Sequence, residues 1–275
     1  MSILLRIAYD GTEFSGWARQ KPRRDGTPIR TVQGELESAL SGLYREPVEL
    51  RGASRTDAGV HALGQLAAFE PPGTIPPRGV MQALAGRLPR DVTVVAAWEQ
   101  QDHANVRGGN GGKRYRYRIR TSRARDPIGG RDEWHLGRRL DLARMRAAAA
   151  AFVGTHDYAA FRTAQCQART STRTVTRVHV TGVAGPLGPP EDAGRFDAGS
   201  EDQALVTVDV EGHAFLHNMV RIMAGTLVEV GLGRREPDVI EALLRRGERQ
   251  EAGPTAPACG LTLLEVRWLR PSVSV

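Results

Sequence analysis

The stretch Arg51-Gly-Ala-Ser-Arg-Thr-Asp-Ala-Gly-Val-His-Ala-Leu-Gly-Gln65 holds the residues best suited to chemistry. Asp57 follows Arg55 by two positions and precedes Gly59 by two, at the end of an apolar run. A carboxylate on a tight turn, with a cation beside it and a glycine that lets a substrate come close, can serve as a nucleophile or a general base. Taken singly, an Asp near a Gly is most often a turn former that caps its own backbone. A second cluster is Lys113-Arg-Tyr-Arg-Tyr-Arg-Ile119. There a period of two puts Tyr115, Tyr117 and Ile119 on one strand face and Arg114, Arg116 and Arg118 on the other. A third runs from Phe215 to Val230 and has helical spacing: Leu216, Met219, Val220, Met223 and Leu227 form an apolar stripe, and His217, Asn218, Arg221 and Gly225 a polar one.

The apolar pattern supplies elements to position these clusters. Strand Ile3–Tyr9 precedes a long Gly/Pro/Arg loop and a helix over Val32–Tyr44. Strands Val48–Ala53 and Gly64–Phe69, a helix Val80–Leu88 and a strand Val92–Trp98 complete a β-α-β-β-α-β series, the split ferredoxin-like unit. After Gly108–Gly112 the order comes round again: strand Tyr115–Arg120, helix Leu142–Phe152, strands Thr174–Val180 and Leu205–Val210, helix Phe215–Val230, a short helix Val239–Leu244 and strand Leu261–Trp268. The expected fold is α+β, with two ferredoxin-like domains whose antiparallel sheets join into one curved platform with a cleft. Residues 1–107 form the first domain, carrying the Asp57 loop. Residues 108–275 form the second, carrying the tyrosine strand and the Arg221 helix. The Gly- and Pro-rich segment Gly182–Gln203 reads as a hairpin tip.

Composition narrows the function classes. The 275 residues carry a net charge of +7, and the pI of about 10.1 points to a polyanionic partner. All but two of the 38 basic residues are arginine, an imbalance that looks like codon bias, so the sign of the charge is more informative than the arginine count. Cys166 and Cys259 cannot make a disulfide framework or a zinc site. His213 and His217 lack the intervening acid of a metalloprotease. Gly108–Lys113 misses Walker spacing, and Gly231-Leu-Gly233 lacks the third glycine of a dinucleotide fingerprint. No cofactor and no metal are expected. The first apolar stretch is interrupted by Arg6 and Asp10, unlike a signal peptide, and no run is long enough to span a membrane, so the cytoplasm is the expected location.

The Asp57 stretch resembles the catalytic loop of the pseudouridine synthases, in the branch of the tRNA pseudouridine synthase A family, whose signature reads G-R-T-D-A-G-V-H. The string F-L-H-N-M-V-R-I-M-A-G resembles that family's F-x-x-x-M-V-R-x-x-x-G motif, and the tyrosine strand its K/R-x-Y-x-Y. Ile7–Gln20, Phe161–Cys166 and Ala256–Leu261 are similar to other family blocks, so the resemblance runs end to end. It implies an isomerase that converts uridine to pseudouridine at positions 38–40 of the tRNA anticodon stem-loop and works as a homodimer. It implies tRNA as the polyanion, rather than DNA or a membrane. It further implies Asp57 as the catalytic carboxylate, Arg221 as its charge partner, Tyr115 as the contact for the target base, and Arg55 as the residue that handles the flipped nucleotide. Asp57 is left with three roles: nucleophile at the sugar, nucleophile at the base, or base toward a sugar proton.

Two departures stand out. Ser54 replaces the family's usual glycine before the motif arginine. The block F-x-A-R appears as Asp102-His-Ala-Asn105, without its arginine, and Arg107 is the nearest substitute. Two other functions compete. A non-catalytic RNA-binding protein on the same fold leaves the Arg55–Asp57–Gly59 turn unexplained. A glycosidic-bond hydrolase needs a second carboxylate that no comparable motif presents.

Overall fold

The computed structural model describes residues 1–100, 104–127, 129–184 and 203–268. Among them the chain forms ten β-strands and five α-helices. It divides into two compact units, one of Met1–Lys113 together with the stretch from Thr262, the other of Arg114–Leu261.

In the first unit β1 (Ser2–Tyr9), α1 (Val32–Tyr44), β2 (Arg51–Gly52), β3 (His61–Phe69), α2 (Pro77–Ala85) and β4 (Val92–Gln100) follow the expected β-α-β-β-α-β order. β1 lies antiparallel between β3 and β4, with Ile3 opposite both Phe69 and Glu99. β10 (Leu261–Trp268) pairs in parallel with β3 through Thr262 and Leu263. α1 begins where the Thr31 hydroxyl accepts the Gly34 amide at 3.2 Å, a standard N-cap. It buries Val32, Leu36 and Leu40, and Tyr44 meets Phe69 edge-on, with ring centroids 6.0 Å apart.

The strand expected over Val48–Ala53 shrinks to the two residues of β2. Side chains of α1 capture its leading amides: Val48 N–H donates to Ser41 Oγ and Leu50 N–H to Glu37 Oε1, each at 3.0 Å. Those donors are spent before a ladder can form. Glu37 is buried, and its other oxygen accepts from Arg19 at 3.0 Å.

The second unit carries most of β5 (Asn110–Arg120), then β6 (Trp134–His135), α3 (Leu142–Ala150), β7 (Gly154–Asp157), β8 (Thr172–Ala184), β9 (Gln203–Gly212), α4 (Met219–Gly231) and α5 (Val239–Arg246). Along the chain β5, α3, β8, β9, α4 and β10 repeat the first series, with β6, β7 and α5 added. The strands lie in the order β5-β9-β8-β7, and β6 flanks β5. β8 and β9 form an antiparallel hairpin whose ladder closes at Ala184 and Gln203. Most of the expected hairpin tip, residues 185–202, lies outside the described residues, as do Asp102 and His103 of the altered block. No helix among the described residues is long and apolar enough to cross a membrane.

The arginine face of β5 is neutralised within the unit. Arg116 grips Asp209 through Nε and Nη2 at 2.7 and 2.8 Å, and Arg114 reaches the same carboxylate at 2.8 Å. Further along, Arg118 and Arg120 share Glu133. Burial alone would raise the Asp209 carboxyl, but the bonds from Arg116 and Arg114 outweigh it and hold the group below its usual value. Its stabilising contribution is therefore complete above the unfolded value of 3.8 and is lost as the pH falls through the depressed folded value. Asp209→Asn is expected to destabilise the fold by about 1–3 kcal/mol at pH 7, less than a fully buried pair because the arginines are partly solvated. Urea melts at pH 7 and below pH 4 check this, since the difference between the two proteins should shrink at the lower pH.

Candidate active site

Asp57 sits on an irregular turn between β2 and β3, half-buried, with Arg55 exposed beside it. The turn closes when Val60 N–H donates to Asp57 O at 3.2 Å, and Gly59 takes φ +77°, a left-handed value that favours glycine. Its remaining polar groups are tied to the segment after β1. Trp17 N–H donates to Thr56 O at 3.1 Å and Gly59 N–H to Phe14 O at 3.2 Å. Tyr9 Oη and Thr56 Oγ1 lie 2.7 Å apart in the interior, directly before Asp57 in sequence. Gly16, at φ +96°, passes so close that a Cβ would stand 2.7 Å from Thr56 O. On the other side of the turn, buried Gln65 bonds both backbone groups of Ser54, accepting at 3.2 Å and donating at 2.8 Å. Ser54 has no positive φ, so the departure from glycine costs no backbone strain there. Among the described residues Arg55 makes no hydrogen bond or ion pair, which leaves its guanidinium available to a ligand.

Tyr115 and Arg221 lie in the second unit. Tyr115 is 6% exposed and meets Phe215 edge-on, centroids 5.2 Å apart. Tyr117 is fully buried and donates to Pro257 O at 2.7 Å. Burial pushes its phenol far above the usual range, with the nearby Arg221 charge opposing that push. The helix carrying Arg221 starts at Met219, four residues later than the spacing suggests. Asn218 stands at its N-terminus in a left-handed conformation, φ +61°, which Asn tolerates better than most residues. α4 is also buried nearly all round: Gly225 belongs to no solvated stripe but packs against Pro254 O, where any Cβ would collide.

Arg221 is half-buried and oriented by its neighbours. Its Nε donates to Ala256 O and its Nη1 to Asn218 Oδ1, both at 2.7 Å, while Ala256 N–H returns a bond to Arg221 O at 3.2 Å. Thr226 Oγ1 accepts from Gly253 N–H at 3.0 Å and pins the other end of the same loop. His217 Nδ1 lies 2.9 Å from Thr163 Oγ1. Three separated stretches singled out in the sequence, at 161–166, 215–225 and 256–261, thus meet near the start of α4, the first through His217 and the last through Arg221. Sequence reasoning gave no role to the residues that do the holding: Tyr9, Gln65, Asn218 and Phe215. Asn218 stood on the polar stripe beside Arg221, and Gln65 was a polar residue inside the apolar run of β3. Among the described residues no three His, Cys, Asp or Glu side chains are grouped to hold a metal ion.

A family model described as tRNA pseudouridine synthase matches residues 6–107 and 148–268. These segments include Arg55, Asp57 and Arg221, while Tyr115 falls in the stretch between them. The chain is 42% identical over 264 residues to "tRNA pseudouridine synthase A" of Geotalea uraniireducens, covering 96% of this chain and 98% of that one. It is also 42% identical to the proteins of that name from Geobacter sulfurreducens, over 267 residues with 97% and 99% coverage, and Myxococcus xanthus, over 264 residues with 96% and 91% coverage. This is the class of enzyme that rearranges a uridine within RNA. The chain belongs to the tRNA pseudouridine synthase family.

The packing around Arg221 can be tested without touching any charge. Gly225→Ala should force Pro254 away from α4 and destabilise the protein by about 1–3 kcal/mol, the usual range for overpacking. Thermal and denaturant melts would measure it, and an unchanged midpoint would contradict the close approach.

Proposed function

We propose that this chain converts uridine to pseudouridine in tRNA, at positions 38–40 of the anticodon stem-loop, acting as a homodimer in the cytoplasm. The observation that supports this most strongly is identity above 40% along nearly the whole chain to proteins named for that activity. The positions, the dimer and the location rest on the resemblance of the motifs.

The reaction is an isomerisation, so atoms and electrons balance without a co-reactant. The bond from C1′ to N1 breaks, the base turns, C5 bonds to C1′, and the proton on C5 leaves for N1 through solvent. We assign Asp57 as the catalytic carboxylate, with attack at the sugar, attack at the base, or removal of a sugar proton as its three possible steps. Arg221 is its proposed charge partner, and the bonds to Ala256 O and Asn218 Oδ1 would hold that guanidinium in one orientation. Flipping a uridine out of a stem costs a few kcal/mol. Tyr115 is proposed to recover part of it by stacking, its ring held at one angle by Phe215. Arg55, exposed on the turn, is proposed to hold the flipped nucleotide or fill the gap it leaves.

Incubation with unmodified tRNA followed by nucleoside analysis tests this directly. Pseudouridine should form, and carbodiimide labelling with primer extension should place it at positions 38–40. Free uracil would instead mark a hydrolase, and unchanged uridine a binding protein. Loss of stacking is worth ~1–3 kcal/mol, so Tyr115→Leu should slow turnover about 5- to 150-fold, whereas Tyr115→Phe keeps the ring and should retain most of it. Sedimentation equilibrium should give twice the 29.9 kDa chain mass.

A further inference from the structure

The Asp57 motif runs on into a histidine, His61, that has no part in the chemistry above. It opens β3, and its side chain is 7% exposed, too buried for a substrate contact. Its Nδ1 accepts the Gly11 N–H at 3.1 Å, which requires a neutral ring with its proton on Nε2. Nε2 is buried and bonds nothing among the described residues. Asp10 Oδ1 stands 3.2 Å from the same Nδ1, but it already accepts from Thr12 N–H at 3.0 Å and from Thr12 Oγ1 at 2.6 Å. Only a proton on Nδ1 would turn that contact into a bond, and Gly11 N–H would then lose its acceptor. An apolar side chain would fill this space without an unmet donor. What the imidazole adds is the acceptor for Gly11.

Gly11 is pressed against the turn, since a Cβ there would stand 2.0 Å from Val60 O. Its own carbonyl accepts Phe14 N–H at 3.0 Å, and Phe14 O accepts Gly59 N–H at 3.2 Å. Val60 N–H then returns to Asp57 O at 3.2 Å, and His61 follows Val60 in sequence. These bonds form a circuit that leaves the turn at His61 and re-enters it at Gly59, taking in the Asp57 backbone. Gly11 is buried. An amide freed there meets no solvent, so losing the imidazole acceptor obliges the segment to shift.

We propose that His61 is a positioning residue for the isomerisation: its Nδ1 latches the segment after β1 onto the Asp57 turn and so fixes where the carboxylate stands. This rests on the assignment of Asp57 as the catalytic carboxylate. His61 touches no substrate and acts through Gly11 and the backbone of Val60.

Three substitutions separate the latch from simple packing. In His61→Asn the amide oxygen can stand near the Nδ1 position and still accept from Gly11. In His61→Gln the polar atoms reach toward the Nε2 position instead, and His61→Leu has no acceptor. The rate of pseudouridine formation in a single turnover is to be measured on an unmodified tRNA transcript, with the tRNA dissociation constant measured beside it. Small displacements of a reacting group cost up to about 100-fold, so His61→Gln and His61→Leu should slow the reaction about 10- to 100-fold with tRNA binding unchanged. His61→Asn should recover most of the rate. Hydrogen exchange read by mass spectrometry needs no turnover: peptides covering residues 10–17 and 57–61 should exchange faster in the Gln and Leu variants than in the wild type and the Asn variant. Thermal melts establish that each variant is folded, and if His61→Leu is not, the comparison of Asn with Gln decides. A wild-type rate in His61→Gln, an Asn variant as slow as the Gln one, or unchanged exchange would overturn the latch. A wild type that forms no pseudouridine would sink the isomerase reading instead, and the exchange comparison would still decide the latch.

Discussion

A carboxylate on an irregular turn keeps its position only if something other than regular secondary structure holds the backbone. Around Asp57 that work falls to the segment between Tyr9 and Trp17, whose carbonyls, amides and one phenol meet Thr56 and Gly59. Gly16 has to be glycine twice over, for its φ of +96° and for its approach to Thr56 O. Trp17 then fills the space over Gly52, where any side chain would strike the indole. The first unit can thus be read outward from this turn: β1 delivers Tyr9, β3 delivers Gln65, and the long loop after β1 must fold back rather than stay open. A turn held by so many interior contacts is preorganised before a substrate arrives, which is where electrostatic catalysis gains most.

The same logic governs the second unit, with a cation in place of an anion. Arg221 lies on a helix buried nearly all round, and a guanidinium in such surroundings needs acceptors. The carbonyl of Ala256 and the amide oxygen of Asn218 supply them, and Gly225 lets the loop from Gly253 come close enough to do so. Charge is also sorted by face along β5. The arginines at 114, 116, 118 and 120 are spent on Asp209, Asp132 and Glu133, so the net charge of +7 that suits a polyanion must be expressed elsewhere.

Local pattern carried much of the fold but stopped where long-range contacts decide. Val32–Tyr44 is helical end to end, because its apolar spacing and the Thr31 cap agree. β2 is shorter than its apolar run because Glu37 and Ser41, on another element, take its amides. β6 and β7 were invisible because two and four residues are too few to show alternation. The start of α4 was placed early because periodicity does not register a left-handed Asn218. Asp57 and Arg221 stood out only as parts of whole motifs, since each alone looks like a turn former or a solvated arginine. Tyr9 and Asn218 fell inside stretches the sequence singled out, but their roles did not show, because what they do depends on partners 47 and 3 residues away whose geometry only folding reveals.

The role of Asp57 is measured most directly by tritium release from tRNA carrying 5-³H-uridine, because the C5 proton leaves only when the new carbon–carbon bond has formed. Wild-type protein and Asp57→Asn should be compared side by side, with tRNA binding measured for both. Release by the wild type, and none by a variant that still binds tRNA, is the predicted result. Turnover by Asp57→Asn at a rate near that of the wild type would contradict the assignment and move the search for the catalytic group to another residue.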